Sequence, residues 1–315
     1  MIIYLYDDAV TLTGVLREYD ACVTTRRLYE ASTFDLRGAD FATLDAATYL
    51  AVGADPELYR IEGLTLEGGV VTATGRSALV DLESRAVPTA VNSTGSTGAL
   101  ITAVLATFTG SRATALTAGD LSHGTTARRQ VVGDDAYAQL REFAAGDGMG
   151  LRCRSGYVDL VVPTITDTYL GDALRNVGRS RYERTTQGWA NYAYVVGTFS
   201  GTGYTVTVDQ TSGGERRELY LDSTVEQGAL TLAQWQAALA AEGAAALSER
   251  RLVEAVAAQT ALQIEVGDVC WYDSGVYADW LLCQEVTTTY ENGVTVSATL
   301  GEPPATVRKT IRRAR

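Results

Sequence analysis

Asn191–Val196 (NYAYVV) combines aromatic and small apolar residues, which predict a β-strand. Gly213–Asp222 (GGERRELYLD) follows with a glycine turn, an Arg-Glu pair and a second, shorter strand. Thr231–Ala255 (TLAQWQAALAAEGAAALSERRLVEA) is rich in alanine and leucine, which favours a long helix. Leu262–Val269 (LQIEVGDV) then leads into closing strands. The last third of the chain is therefore predicted to fold as strands on both sides of one helix.

The start of that helix is marked by a local motif. Thr231 and Gln234 have the spacing of a capping box, in which each side chain bonds the backbone N–H of the other residue. Leu232, Trp235 and Leu239 follow at helical spacing and predict the beginning of a buried stripe.

The end of the chain predicts a β-hairpin. Asn292-Gly293 separates the strand-like runs Gln284–Tyr290 and Val294–Leu300, and this dipeptide suits a two-residue turn in which both residues have positive φ. Pro303-Pro304 is expected to end the last strand, because proline cannot donate to a sheet ladder.

Between residues 75 and 98 the pattern predicts a helix and then a linker. Gly75–Val87 places Leu79 and Leu82 on one helical face, with Pro88 as the end of the helix. Val91–Gly98 is rich in Ser, Thr and Gly, as connecting segments usually are.

Two amphipathic helices are predicted in the middle of the chain. The first covers about Thr97–Phe108, and the second starts at Asp134 or Asp135 and stops near Gly146. Acidic residues at a helix start bond the unpaired N–H groups there, so these two aspartates are interpreted as capping residues and not as a catalytic pair. Gly146–Gly150 (GDGMG) follows the helix and lacks the Lys-Ser/Thr ending of a phosphate loop, which indicates a helix stop and a turn.

The predicted fold class is α+β, mostly β, with two β-barrel modules flanking a small α/β middle domain. The domain boundaries assigned to this plan are 1–90 for the N-terminal β module, 91–155 for the middle domain and 156–305 for the second β module with its long helix. Residues 306–315 form a basic tail.

The charge distribution argues against a nucleic-acid-binding body. Five of the 26 basic residues lie in the last nine positions, so residues 1–306 carry 21 basic and 38 acidic groups, a net charge of −17. Such a surface repels phosphate. The basic groups of the tail are candidates for docking on an acidic partner, the alternative being a solvated chain end: Arg308, Lys309, Arg312, Arg313 and Arg315.

The four cysteines are far apart in sequence and show no metal-ligand spacing. Buried free thiols in a reduced compartment are the preferred interpretation. Cys270 and Cys283 flank a predicted hairpin and could face each other across it, so they are the one candidate pair for a disulfide. The N-terminus, MIIYLYDDAV, has no basic region before its apolar residues, so it is interpreted as a first strand and not as a signal peptide. No apolar run approaches the length of a membrane helix.

Catalytic and metal-binding residues are not predicted. His123 is the single histidine, it lies in a loop-like segment, and Ser-His-Asp or Cys-His catalysis would depend on it alone. Two of the acids Glu83, Asp120, Asp134 and Asp147 could in principle serve as the two carboxylates of a glycosidase. With 38 acidic residues, however, some pair will always look suitable, so this pattern is not evidence of an active site. The sequence therefore gives no catalytic, cofactor or metal site.

The order of elements in the last third resembles the tail-tip (baseplate) hub proteins of long-tailed phages, similar to the tail-associated hub proteins of siphophages. The resemblance is carried by the Asn-aromatic strand, the Arg-Glu pair before a short "YLD" strand, the Ala-rich helix and the "GDV" strand start quoted above.

Three further segments resemble the same family. Val15–Leu36 is similar to its opening strands and ends in an F-x-L pattern. Tyr59–Val87 is similar to its next segment, a strand pair, a glycine and a helix ending in R-x-V. Val132–Cys153 is similar to the helix-then-strand segment of its middle domain. The similarity covers most of the chain, in short motifs that agree in order and spacing.

The resemblance implies a structural, non-enzymatic virion protein at the tail tip, assembled in the host cytoplasm. It implies a homotrimer that closes the tail tube, with two tube-like β-modules in each subunit. The implied partners are the distal tail ring, the end of the tape-measure protein and the tip or receptor-binding proteins, and DNA would pass through the lumen without specific binding.

The acidic body would then keep DNA from adhering. Many relatives continue into a peptidase or lysozyme domain, whereas this sequence stops about fifteen residues past the last hairpin, which weakens the expectation of cell-wall cleavage. The alternative function is a cell-envelope hydrolase or carbohydrate-binding β-protein.

Overall fold

A computed structural model describes most of the chain, and every structural statement below concerns the residues it describes. These are 1–53, 57–109, 113–171, 176–185, 190–211, 216–223, 225–228, 230–249, 253–260, 264–275, 278–291 and 293–303.

Strands dominate the described residues. The first twelve strands are β1 (Ile3–Tyr6), β2 (Leu12–Leu16), β3 (Ala21–Arg27), β4 (Thr33–Arg37), β5 (Tyr49–Val52), β6 (Leu58–Glu67), β7 (Val70–Ser77), β8 (Val87–Ser93), β9 (Thr117–Ala118), β10 (Arg129–Gly133), β11 (Gly150–Arg154) and β12 (Tyr157–Val161). The others are β13 (Thr164–Gly171), β14 (Val177–Thr185), β15 (Tyr192–Phe199), β16 (Thr202–Asp209), β17 (Glu218–Asp222), β18 (Val253–Thr260), β19 (Asp268–Asp273), β20 (Ala278–Tyr290) and β21 (Val294–Gly301). The helices are α1 (Phe41–Asp45), α2 (Thr97–Leu105), α3 (Ala136–Gly146) and α4 (Leu232–Glu249), with a 3-10 helix at Ala78–Leu82.

The chain divides into two compact units. The large unit contains residues 1–181 and 256–315, and the small unit contains residues 182–255. This division groups residues that lie close together in space, so one unit can contain two separate stretches of sequence. The domain boundaries predicted at 90/91, 155/156 and 305/306 remain predictions.

A thirteen-stranded sheet forms the frame of the large unit. Its strand order is β14-β18-β21-β20-β3-β4-β7-β6-β5-β1-β2, with β19 pairing both β20 and β13. Strands from the first 80 residues and from the last 50 thus meet in one sheet, because β20 pairs antiparallel with β3. The predicted class, α+β and mostly β, is confirmed. Closure of the sheet into a barrel is not found among the described strands, so the barrel form of the modules stays a prediction.

Alternation in β3 (ACVTTRR) explains which side of this sheet is buried. Cys22, Thr24 and Arg26 are buried, and the residues between them are only partly covered. The same alternation in β4 buries Phe34 and Leu36. A period of two places these side chains on one face, where Cys22, Phe34 and Leu36 join a common apolar core.

Helices α2 and α3 pack into a second core of the large unit, together with residues from β5, β6 and the 3-10 helix. Both helices were predicted. Ser96 caps α2, a role the sequence analysis did not assign. Of the two aspartates interpreted as caps, Asp135 is the N-cap of α3 and accepts from the Ala138 N–H at 2.9 Å, and Asp134 precedes it. Helix α2 ends three residues earlier than expected, and Phe108 is nevertheless buried beside it.

The segment 75–93 differs from its prediction. Strand β7 continues through Gly75 to Ser77, because the backbone of Arg60 lies against Gly75 and leaves no room for a side chain. Only the short 3-10 helix follows, although it does bury Leu79 and Leu82 as expected. The expected linker begins inside strand β8, where Val91 pairs with Val131 of β10.

The small unit is a three-stranded sheet with α4 on one face. The strand order is β16-β15-β17, and α4 buries Trp235 and Leu239 against Ala193 and Val195. The capping box is confirmed: Thr231 N–H donates to Gln234 Oε1 at 3.0 Å, and Gln234 N–H donates to Thr231 Oγ1 at 3.4 Å.

The closing hairpin is also confirmed. Strands β20 and β21 pair antiparallel from Leu282 to Tyr290, and Tyr290 lies opposite Val294 at the turn. Asn292 and Pro304 lie outside the described residues. In the described part of the chain, none of the helices combines the length and apolarity that crossing a bilayer requires.

Candidate functional site

Two of the motifs that carry the family resemblance, the Asn-aromatic strand and the Arg-Glu pair, meet at one end of the small unit. Asn191 stands before β15, and its side-chain oxygen accepts from the Arg217 N–H at 2.8 Å. The N–H groups of Asn191 and Tyr192 both donate to the Arg217 carbonyl, at 3.0 and 3.1 Å. Gln210 N–H donates to the Asn191 carbonyl at 2.9 Å. One asparagine therefore ties together the ends of all three strands.

An arginine and two tyrosines form a cluster beside this junction. The Arg216 guanidinium carbon lies 3.5 Å from the ring centroid of Tyr192, and an Arg216 nitrogen donates to the Tyr194 hydroxyl at 2.6 Å. The same group is 2.7 Å from a Glu218 carboxylate oxygen. The two tyrosine rings meet edge to face with centroids 5.1 Å apart. These contacts hold the guanidinium flat on an aromatic ring, an arrangement that adds cation–π attraction to the ion pair.

This cluster, named here the tyrosine–arginine patch (Tyr192, Tyr194, Arg216, Glu218 and Tyr220), lies on the sheet face opposite α4. Its outward direction follows from the alternation of β15, whose intervening Ala193 and Val195 are buried under the helix. Tyr220 lies opposite Tyr194 in the parallel β15–β17 pair and is 63% exposed. Tyrosine and arginine are enriched at protein interfaces, so the patch has the composition of a contact surface.

Residues considered for chemistry at the sequence level lie in separate structural contexts. His123 is an exposed loop residue whose carbonyl accepts from the Gly98 N–H. Glu83 pairs with Arg76, Asp120 accepts from Ser122, and the Asp134 carbonyl accepts from Gln139. Across the described ranges, no group of three or more His, Cys, Asp or Glu side chains is arranged to hold a metal ion.

The Gly146–Gly150 segment is a helix end and a turn, as predicted, but Asp147 within it has a role that the sequence did not reveal. Its carboxylate accepts from the Thr97 hydroxyl, from the Thr125 hydroxyl and, at 3.0 Å, from the Thr125 N–H. Arg129 pairs with it at 2.9 Å. Both side chains of this pair are nearly buried, 5% exposed for Asp147 and 12% for Arg129. The network fixes the 121–129 loop against α2 and the end of α3.

A second buried polar cluster links β6 and β7 to the middle of the chain. Glu57, 2% exposed, accepts from the Ser77 hydroxyl and from the Cys153 N–H at 3.3 Å. Nearby, Asp81 accepts from the Tyr49 hydroxyl and from Arg60. Partners 18 to 96 positions apart leave no local signal, so sequence reasoning missed both clusters.

The four cysteines are free and buried, as preferred from the sequence. Cys270 lies opposite Leu281 and Cys283 opposite Leu300, so the two are not partners across a strand pair. Burial raises the pKa of the Cys270 thiol to about 12 and holds the pKa of Cys283 well above its ordinary value. Thiolate, the reactive form, is therefore scarce at neutral pH.

The proposed docking residues of the basic tail, Arg308, Lys309, Arg312, Arg313 and Arg315, lie outside the described residues.

Comparison with known proteins gives structural but not sequence matches. No protein-family model and no curated protein matches the sequence. Among solved structures, the 43 kDa tail protein of prophage MuSo2 from Shewanella oneidensis has a TM-score of 0.68 and 12% identity, covering 95% of this chain and 98% of that chain. A tail protein from Neisseria meningitidis MC58 has a TM-score of 0.66 and 10% identity, over 95% and 96% of the two chains.

A third solved structure extends the match to nearly the whole chain. Prophage tail protein gp18 from Listeria monocytogenes EGD-e has a TM-score of 0.61 and 12% identity, over 99% of this chain and 98% of that chain. At such low identity the similarity concerns the fold. These three structural neighbours are tail proteins, two of them of prophages, and the chain has their fold, as the sequence resemblance predicted.

Proposed function

We propose that the protein is a structural hub of the tail tip of a phage or phage-like particle. The observation that carries this proposal is the extent of the structural match, which covers 95% of this chain and 98% of the MuSo2 tail protein. Because the match has the length of the whole chain, the proposal concerns the complete arrangement of elements and not one shared module.

In this proposal three copies form a ring that closes the tail tube and joins the distal tail ring to the tip. The tape-measure protein end and the tip or receptor-binding proteins are its other neighbours, and the particle is assembled in the host cytoplasm. Closed rotational symmetry is the usual solution for a ring component, since each subunit presents the same surface to the next. The tyrosine–arginine patch supports a role in contacts, because it offers an uncovered aromatic surface in the small unit.

The mass of the assembled protein and its position in particles test this proposal. Light scattering of the purified protein is expected to give three times the chain mass of 33.6 kDa, and electron microscopy of particles should place a threefold ring at the tail tip. A compact monomer in solution, together with particles that lack such a ring, would contradict the proposal.

A structural hub needs no catalytic residue of its own. Replacing the exposed loop residue His123 with alanine is therefore expected to leave infectivity near the wild-type level. Complete loss of infectivity in particles that assemble normally would argue for a catalytic role. Degradation of cell walls by the isolated protein would favour the alternative, a cell-envelope hydrolase.

The basic tail is proposed to dock on an acidic surface of a neighbouring tail protein. Five basic groups in nine residues repel one another, and an acidic partner would relieve that repulsion. Attraction of this kind weakens as salt is added.

A further inference from the structure

Three large aromatic side chains lie in line on one side of the large unit. They are named here the aromatic row: Tyr169 on β13, Trp271 on β19 and Trp280 on β20. Strand register places Tyr169 opposite Trp271 and Trp271 opposite Trp280, so the three side chains point to the same side of the sheet. The ring centroids are 5.8 Å apart for the two tryptophans and 6.4 Å apart for Tyr169 and Trp280. The rings therefore form one continuous aromatic surface.

The aromatic row is anchored at one end and open at the other. Trp280 packs against a buried cluster that includes Leu282. Tyr169 is 51% exposed, and Ile165, in register with Val269 on the same face, is 37% exposed. Contiguous exposed aromatic and aliphatic side chains are typical of a surface that binds a partner.

The three strands that carry the aromatic row are acidic. They contain five acidic residues and no basic one. Glu285 pairs with Arg27 at 2.8 Å. Asp167 and Asp273 are exposed, and within the described ranges neither takes part in an ion pair. Asp273 follows Trp271 by two positions on one strand, so it belongs to the same face as the row.

The small unit shows how this chain binds an arginine. The Arg216 guanidinium carbon lies 3.5 Å from the centroid of the Tyr192 ring, and the group pairs with Glu218 at 2.7 Å. An aromatic ring beside a carboxylate is also what the aromatic row offers with Asp167 and Asp273. Tryptophan attracts a cation more strongly than tyrosine does, and a carboxylate adds a charged hydrogen bond. The row is therefore suited to a segment that carries arginine.

The basic tail of the chain has this chemistry, and the sheet ends close to the row. Residues 306–315 contain five basic groups and no acid. Gly301, the last residue of β21, pairs with Leu282, which is two positions from Trp280. The last strand therefore ends beside the aromatic row.

The spacing within the tail favours the row of another copy over the row of the same subunit. The first basic group, Arg308, is seven residues beyond Gly301, a reach of up to about 23 Å. The row spans three strands, a width of about 10 Å. The spacer is thus long enough to carry the basic groups past their own row to a neighbour.

We propose that the basic tail of one subunit docks on the aromatic row of a second copy of this chain. Arginines of the tail stack on the rings, and Asp167 and Asp273 pair with their charge. This inference rests on the proposed function, because it requires neighbouring copies in a ring, and it identifies the acidic surface that the tail binds. Each subunit gives its tail to one neighbour and receives the tail of the other, an arrangement that closes with rotational symmetry.

A cross-link between two copies tests the docking. Thr310→Cys marks the middle of the tail without removing a charge. Ile165→Cys marks the face of the row and leaves its rings and carboxylates in place. The two full-length variants are co-expressed with tags of different size, and purified protein and assembled tails are oxidised mildly at low and high salt. Tyr220→Cys, at a 63% exposed position of the small unit, replaces Ile165→Cys in the matched control, and the four native cysteines are buried.

We expect a disulfide-linked dimer of one Ile165→Cys chain and one Thr310→Cys chain, with a yield that falls as salt rises. The small-unit control should give only a background yield. In the Ile165→Cys chain, adding Tyr169→Ala, or Asp167→Asn with Asp273→Asn, should lower the yield at least about threefold, since each change removes part of the site for the cation. If Ile165→Cys does not fold, Tyr169→Cys at its 51% exposed position gives the same readout.

The outcomes separate the two proposals. Tails that hold both variants in a threefold ring but show only the background yield overturn the docking and leave the tail-tip function intact. A disulfide that forms only when both cysteines are on one chain also overturns it, because the tail then binds its own row. Absence of the wild-type protein from tail tips overturns the proposed function, and the docking with it.

Discussion

Trp235 in α4 lies directly against Gly197 in β15. A methyl group at Gly197 would come within 2.8 Å of the indole Cζ2 atom and 3.3 Å of Leu239 Cδ2. The indole is fully buried, and its Nε1–H donates to the Val225 carbonyl at 3.1 Å. Because this hydrogen bond fixes the ring, the helix can lie this close to the sheet only where the strand has no side chain.

The first prediction follows from that contact. Gly197→Ala should destabilise the small unit by about 1–3 kcal/mol, because the added methyl forces the indole or the strand to move. Gly203→Ala on β16 is the matched control, since nothing lies within 4 Å of the added carbon, and it should be neutral or slightly stabilising. Urea unfolding followed by tryptophan fluorescence measures both. Equal stability of the two variants would contradict the packing argument.

A second prediction concerns Asp147. Asp147→Ala leaves the nearly buried Arg129 without its carboxylate and frees two threonine hydroxyls, so we expect a loss of about 3 kcal/mol in the free energy of unfolding. Asp8→Ala, at an exposed turn position, should change it by less than about 0.5 kcal/mol. Thermal or chemical unfolding measures the free energy of unfolding of both variants. A small change for Asp147→Ala would mean that other contacts hold the 121–129 loop.

The same carboxylate predicts a pH dependence. Burial raises the pKa of Asp147, but hydrogen bonds from Thr125 and Thr97 and the charge of Arg129 outweigh it, so the pKa lies below its ordinary value. The unfolded chain then binds the proton more readily than the folded one. The contribution of Asp147 to stability is therefore complete above about pH 5 and is lost as pH falls through its folded pKa.

Comparison of the wild type with Asp147→Asn isolates this effect from other carboxylates such as Glu62. The wild type should lose more stability than the variant between pH 5 and pH 3. Parallel pH profiles of the two proteins would show that Asp147 has an unshifted pKa.

A fourth prediction concerns thiol reactivity. At pH 8 the folded protein should react with a disulfide reagent at none of its four cysteines, because burial raises the pKa of the Cys153, Cys270 and Cys283 thiols and excludes the reagent from Cys22 as well. All four should react in denaturant. Thr205→Cys, on an exposed strand position, is the positive control and should add one fast-reacting thiol. Rapid reaction of the folded wild type would indicate local opening of a core.

The fifth prediction tests the basic tail. Removing residues 306–315 should leave the melting temperature unchanged but reduce incorporation of the subunit into tails. Added salt should lower incorporation of the wild type more than that of the truncated protein, because salt screens the charges of the tail. Incorporation and infectivity at the wild-type level in both low and high salt would identify the tail as a solvated end.

Local motifs account for most of what the sequence predicted correctly. The capping box of Thr231 and Gln234, the Asp135 cap and the β20–β21 hairpin each depend on residues within a few positions of one another. Gly75–Val87 was assigned wrongly because Leu79 and Leu82 have helical spacing, whereas the backbone contact of Gly75 with Arg60, which keeps the strand extended, has no sequence signal.

The candidate surfaces were predictable only in part. The Asn-aromatic strand and the Arg-Glu pair were recognised as motifs, yet the stacking of Arg216 on Tyr192 depends on the pairing of β15 with β17. Ser297, Thr287, Thr25 and Thr33 lie side by side on four strands, which requires the pairing of β20 with β3. Alternating threonines in one strand look like any solvent-facing strand, and only the register across strands turns them into a continuous face.

The pairing of β20 with β3 also has a consequence for synthesis. Strand β3 leaves the ribosome about 260 residues before its partner, so one edge of the early sheet stays open while most of the chain is being made. Contacts so distant in sequence fold slowly, and open strand edges are prone to pair with the wrong chain. Prematurely terminated chains would retain that open edge, so only full-length translation yields a subunit protected against aggregation before assembly.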